Sequence, residues 1–287
     1  PGSGKSFFAK REMANAFFAT PDHILILDAE NEYTALTEQL HGQTIYLAPD
    51  SQIYLNPMDL DLSTDVGESP MLMQADFLLS QCELMMASYG NPLMPIEKSL
   101  IDRCISLVYR DYLKNPRPEN MPILGDLYQC LREQHNSRAD DLATAMEIYV
   151  TGSLSYLNHR TNVDLNNRMV CYNISKLGQG LKKLVMSNVQ KHIWQRTAVN
   201  RYAGITTRIF LDEFHLLLKE PQTAAYTAEI YKRFRKWNGI PTSLTQNVKD
   251  LLDSSEIENI LENSDFVLML NQGASDRNIL AQRLGIS

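Results

Sequence analysis

The chain lacks any run of apolar residues approaching the ~18 that cross a bilayer, so no membrane-spanning helix is expected in it. Its four cysteines form no C-x-x-C pair, and its six histidines lie scattered without metal-ligand spacing. That argues against a zinc module or a disulfide framework and leaves buried thiols in a reducing compartment as the expected state. A surplus of positive charge is missing too: the net charge is −7. Such a balance leans against a broad nucleic-acid-binding face, although a local basic groove remains compatible with it. Internal repeats, low-complexity tracts and a signal peptide are likewise not seen. What is present is a hydrophobic fraction of 44% over 287 residues, enough for one large α/β domain or a core with a subdomain.

The most specific feature stands at the start. Pro1-Gly2-Ser3-Gly4-Lys5-Ser6 reads as the end of the phosphate-binding pattern G-x-x-x-x-G-K-[ST]. The first glycine of that pattern would fall two residues ahead of Pro1, so the strand that feeds the loop is expected upstream of this chain. Gly2, Ser3 and Gly4 would offer backbone N–H groups to phosphate oxygens, and the following helix would present its positive end to the same anion. Lys5 would reach the terminal phosphates, and the Ser6 hydroxyl would ligate Mg²⁺. Together these point to a nucleoside triphosphatase.

Beyond the loop, short apolar runs alternate with helical patterns. Strands are expected at 23–28, 44–47, 169–174, 207–211, 242–245 and 266–270, with helices over 5–19, 32–40, 180–197, 222–237, 248–261 and from Ser275 onward. Such alternation predicts a mostly parallel sheet covered by helices on both faces. Between about 59 and 164 the strand pattern vanishes, and amphipathic helices are expected over 69–88, 96–113, 124–133 and 139–149. The fold class is therefore α/β, with a core formed by 1–58 and 165–287 and an all-helical insertion at 59–164.

Several residues carry candidate chemistry. Arg208-Ile209-Phe210-Leu211-Asp212-Glu213 is an apolar strand that ends in two acids, at the edge where open α/β sheets bind ligands. Asp212 would hold Mg²⁺ beside Ser6, and Glu213 would polarise the attacking water as a general base. Gln246, at the end of the next strand, would contact the γ-phosphate or the attacking water; it also fits a polar strand end that starts a helix. Asp28, Glu30 and Glu32 could face the nucleotide or a neighbouring subunit, or could complement a helix N-terminus. Arg235 and Arg277 are candidates for a guanidinium supplied from one subunit to the next, and a solvated helix face fits each of them as well.

Taken in order, Pro1–Ser6, Asp28-Ala29-Glu30-Asn31-Glu32-Tyr33, Leu55-Asn56-Pro57, Ile174-Ser175-Lys176-Leu177, Leu211-Asp212-Glu213-Phe214, Arg235-Lys236 and Thr245-Gln246 resemble the CagE/TrbE/VirB ATPases of bacterial conjugation and type IV secretion. That group is related to the HerA–FtsK motors, and the likeness spans nearly the whole chain. Ala29 departs from the proline that the family commonly has there. The resemblance implies a RecA-like P-loop core that uses ATP and Mg²⁺ and assembles as a homo-oligomer, often a hexameric ring. It implies a place at the cytoplasmic face of the bacterial inner membrane. Attachment there would run through other secretion-channel components or a region N-terminal to this chain. Two further readings accompany it: a DNA-translocating pump of the coupling-protein or FtsK type, and a non-catalytic ring scaffold that holds nucleotide.

Overall fold

The computed structural model describes residues 4–62, 69–86, 92–246 and 256–270. The chain divides into two compact units. One comprises 1–45, 166–175 and 196–287; the other comprises 46–165 and 176–195.

The first unit is built on a sheet. Helix α1 (Lys5–Ala19) leads into β1 (His23–Asp28), then α2 (Thr34–Gln39) and β2 (Gln43–Tyr46). After the helical segment come β3 (Met169–Asn173), the end of α8 (Gln179–Tyr202), whose residues up to 195 belong to the other unit, β4 (Thr207–Leu211), α9 (Pro221–Phe234), β5 (Gly239–Ser243) and a short last helix, Ile257–Glu262. The strand order is β2-β3-β1-β4-β5. β1 runs parallel to both β3 and β4, and β4 runs parallel to β5. Register places Asp28 opposite Asn173 and Leu27 opposite Leu211, so β1, β3 and β4 end level with one another.

Consecutive residues Ile24, Leu25, Ile26 and Leu27 are all buried, as both faces of a covered parallel sheet require. On one face Ala9, Met13 and Ala16 of α1 pack against Ile24, Ile26, Cys171 and Phe210. Each fully buried aliphatic side chain in such a layer contributes about 1.5–3 kcal/mol. Arg168, just before β3, fastens the other end of α1. Its guanidinium donates to the carbonyls of Phe17, Thr20 and Asp22 and lies 4.4 Å from the Phe17 ring. A cation there meets the negative end of the helix dipole and ties the helix to the strand beside it.

The second unit holds α3 (Pro70–Met86), α4 (Pro95–Val108), α5 (Arg110–Lys114), α6 (Leu124–Arg132) and α7 (Ser137–Val150), with no strand among its described residues other than the end of β2. Local caps set these helices. The Glu97 carboxylate accepts from the Met94 N–H, Asp126 from Ile123, and Asn136 Oδ1 from Arg138. Their apolar faces surround an irregular buried stretch, Leu55–Leu60.

Several sequence expectations meet a different outcome: the helix expected over 96–113 is broken at Tyr109 into α4 and α5, and the strand expected at 242–245 lies at Gly239–Ser243. The run Phe266-Val267-Leu268-Met269 forms no strand, and its side chains are exposed. Apolar composition records a capacity for burial, but a strand exists only where a neighbour offers a ladder. The helix expected to end near Trp237 stops at Phe234, followed by a tight 3₁₀ turn over Arg235–Trp237 and a left-handed Asn238. The helix expected from 248 has its first half, and the one from Ser275 all of its length, outside the described residues.

Candidate functional site

The site forms where the parallel strands end. Gly4 sits at φ 87°, ψ 7°, and its carbonyl accepts the Phe8 N–H at 2.9 Å, which begins α1 at Lys5. A residue with a Cβ would spend about 1–2 kcal/mol in that left-handed conformation, whereas glycine adopts it freely. No side chain caps this helix and no acid lies in its first turn. Its leading N–H groups and positive dipole end therefore suit an anion.

Lys5 reaches across the sheet edge to two carboxylates. Its Nζ lies 2.9 Å from Asp212 Oδ1 and 2.8 Å from Glu213 Oε1. Residues 207 positions apart in the chain thus share one ion-pair cluster. Burial works against the Lys5 ammonium, but the bonds and charges of Glu213 and Asp212 outweigh it and hold its pKa above the ordinary lysine value. Asp212 behaves otherwise. Burial pushes its carboxyl up to about 6 despite Lys5, and the neighbouring Glu213 charge adds to the push.

β4 delivers the acids with an unusual turn. Asp212 donates its N–H to Leu27 O, which extends the ladder by one residue. Glu213 then takes φ 46°, ψ 47°, a left-handed conformation for a residue with a Cβ. The adjacent Phe214 N–H bonds Leu244 O and locks the bend. Strain of this kind persists where surrounding structure over-determines it, and it concentrates at functional sites. His215 Nδ1 stands 3.2 Å from Glu213 Oε2 and 3.3 Å from Thr245 Oγ1. Sequence reasoning missed His215. Two residues after Glu213, it carries no motif signal, and only the bend at Glu213 brings it back.

The turn after β1 closes the remaining side. Asp28 is fully buried, and its two oxygens accept the N–H groups of Glu32 and Tyr33, each at 2.9 Å. Asp28 therefore holds the turn, rather than facing a nucleotide or a neighbour. Asn31, at φ 58°, accepts from Asn173 Nδ2 at 2.6 Å, so β3 braces the same turn. Glu30 is exposed. The Tyr33 ring is buried in the core beneath α1 while its hydroxyl, also buried, neighbours the Ser6 side chain and feels the charges of Asp212 and Glu32. Burial, followed by the Asp212 and Glu32 charges, pushes the Tyr33 pKa upward. Three oxygens here are buried without a formed hydrogen bond: Asp212 Oδ2, Tyr33 Oη and Glu32 Oε2.

Of the other sequence candidates, Ser6 lies in the first turn of α1 beside this cluster. Gln246 sits exposed just past the C-terminal end of β5, on the same sheet edge, without a bond to the Lys5 cluster among the described residues. Arg235 is exposed at the opposite edge, since the 3₁₀ turn that carries it runs into the start of β5 level with Thr207. One chain therefore keeps Arg235 away from its own Lys5. Gly2, Ser3 and Arg277 lie outside the described residues.

Comparison with known proteins follows the same lines. Among solved structures, VirB4 of Thermoanaerobacter pseudethanolicus is similar over 100% of this chain and 79% of that one, with a TM-score of 0.87 and 23% identity. The bacterial conjugative coupling protein TrwB, lacking its N-terminal 70 residues, is similar over 91% of this chain and 64% of that one, with a TM-score of 0.54 and 12% identity. At such identities the likeness is one of fold, that of the RecA-like P-loop ATPases. No curated protein sequence matches. The TraG P-loop domain matches residues 1–283. By that match the chain, whose loop lysine meets the acid pair at the end of β4, belongs to the TraG P-loop domain family.

Proposed function

We propose that this chain is the ATP-hydrolysing motor domain of a conjugation or type IV secretion apparatus. The observation that carries the proposal is the meeting of Lys5 with Asp212 and Glu213 at the helix N-terminus. An ammonium, a helix dipole and a carboxylate pair at one point supply what phosphoryl transfer needs, namely positioning and charge neutralisation.

In this reading Gly2, Ser3 and Gly4 cradle the phosphates with backbone N–H groups, and Lys5 exchanges its carboxylates for the terminal phosphates when nucleotide enters. The donor set fits a hard divalent cation: the Ser6 hydroxyl and the Asp212 carboxylate are oxygen ligands, and Asp212 Oδ2 is buried without a partner. Bound there, Mg²⁺ would neutralise charge on the phosphate oxygens. Once released from Lys5, Glu213 orients and deprotonates the attacking water, with its position fixed by the left-handed bend and by His215. Gln246 reads the γ-phosphate from the end of β5. Arg235, exposed at the far edge, and Arg277 serve a neighbour's site, so the working form is a homo-oligomeric ring. The ring sits peripherally at the cytoplasmic face of the inner membrane, held by other channel components. No helix among the described residues is long and apolar enough to cross a membrane.

Lys5→Ala should abolish nucleotide binding and turnover together, whereas Glu213→Gln should abolish turnover and leave binding intact. Wild-type turnover by the Glu213→Gln protein would sink the assignment. A DNA pump shares this core, and the likeness to TrwB keeps it in view. It requires turnover stimulated by DNA and DNA binding that falls steeply with salt.

A further inference from the structure

The turn after β1 places a tyrosine where the proposed reaction has no assigned use for one. Tyr33 is 0% exposed, and its ring packs with Ala9, Met13 and Ile26. A ring in that position needs no hydroxyl, and a buried hydroxyl with no bond costs about 1–3 kcal/mol. Phenylalanine would fill the same space without that cost. The Tyr33 hydroxyl is nevertheless buried without a well-formed hydrogen bond, with the Ser6 side chain as a neighbour and within the electrostatic reach of Asp212 and Glu32. Glu32 Oε2 and Asp212 Oδ2 are likewise buried without a partner. Considerable structure fixes this placement. Asp28 spends both carboxylate oxygens on the Glu32 and Tyr33 N–H groups, and Asn173 pins Asn31.

We propose that Tyr33 and Glu32 are positioning residues for the divalent cation, with the Tyr33 hydroxyl and the Glu32 carboxylate hydrogen-bonding the cation's bound waters around Ser6 and Asp212. Mg²⁺ dehydrates reluctantly and keeps several waters when bound through few protein oxygens. Those waters need acceptors, and the two buried, unpartnered oxygens that are not ligands, Tyr33 Oη and Glu32 Oε2, provide them. Outer partners of this kind typically govern metal affinity by 10–100-fold. The inference rests on the nucleotide-site reading given above.

The test measures Mn²⁺ binding by electron paramagnetic resonance in the presence of ADP, and ADP binding in EDTA by calorimetry. Tyr33→Phe keeps the ring and removes only the hydroxyl. Its Mn²⁺ affinity should fall by about tenfold or more, while its metal-free ADP affinity stays at the wild-type level. Glu32→Gln should move in the same direction. Wild-type Mn²⁺ affinity in the Tyr33→Phe protein overturns the inference, as does an equal loss of metal-free ADP binding, which would mark a general disturbance of the loop. Lys5→Ala separates the two layers. If it leaves ADP binding unchanged, or if the wild-type chain does not bind Mn²⁺ with ADP, the nucleotide-site reading fails and this inference fails with it. If Lys5→Ala loses ADP and Tyr33→Phe behaves as wild type, only the cation role falls.

Discussion

At the sheet edge, Asp212 Oδ2, Tyr33 Oη and Glu32 Oε2 are buried with nothing bonded to them. In the helical unit, by contrast, every carbonyl from Leu55 to Leu60 receives a hydrogen bond. Asn188 donates to Leu55, the Asp59 N–H to Asn56, Gln74 and Lys191 to Pro57, Tyr109 to Met58, Lys191 also to Asp59, and Tyr112 to Leu60. Both places bury polar groups next to irregular backbone. The 55–60 backbone was completed by the chain itself, although the same unit also buries Gln81 Oε1 and Asn188 Oδ1 without a partner, whereas the three oxygens at the sheet edge were left incomplete. A buried segment with full partners is architecture. A cluster of oxygens without partners beside a cation and a helix N-terminus suits a ligand that arrives later.

Substitutions should separate the two kinds of burial. The largest effect is expected at the edge. Lys5→Ala should lower turnover by at least ~10²–10³-fold, the scale for losing one preorganised electrostatic contact, while the fold survives because the Asp212 carboxyl, already pushed up to about 6 by burial, takes a proton once its cation is gone. A loss of stability as large as the loss of activity would break the contrast.

Next comes the pH dependence of the helical unit. Lys191 is buried, and burial pulls its pKa down to about 7, opposed by Asp59. A base with a depressed folded pKa contributes stability above its unfolded value near 10.5 and loses it as pH falls through about 7. Lys191→Met should remove that slope, on the order of a few kcal/mol across the window. Denaturant titrations of both proteins between pH 6 and 10 would reveal the difference. Parallel curves would mean that the amine is not held neutral.

A smaller change is expected from Tyr109→Phe. It leaves Met58 O without a donor and Gln74 without one of its two acceptors, at a cost of about 1–3 kcal/mol in unfolding free energy, with nucleotide affinity unchanged. The smallest is Arg235→Ala. Its exposed position predicts a stability change within about 0.5 kcal/mol and unaltered nucleotide binding. Turnover should fall only where chains assemble, as mixing experiments with wild-type protein would detect.

Much of this was legible beforehand because the signals are local. Gly4-Lys5-Ser6 declares a loop and helix start. Thr207–Leu211 declares a covered strand, and the structure assigns that strand the same ends. The four helical stretches expected between β2 and β3 follow from apolar periodicity, with ends set by caps such as Asn136, although the one over 96–113 is broken at Tyr109 into α4 and α5. The exposed run at 266–269 misled for the converse reason: its pattern is local but its ladder is not.

The sequence by itself determined the alternation of strands and helices in the sheet unit as far as β5, the glycine that starts α1 and the acid pair that ends β4, because each depends on neighbours a few residues away. Only the tertiary structure decided that Lys5 touches both acids, that Asp28 holds a turn, that Glu213 bends back toward His215, that Arg235 stands at the opposite edge, and that the Tyr33 hydroxyl meets Ser6. Those facts depend on sheet register and packing, which join residues up to 208 positions apart and leave no trace in a short window of sequence.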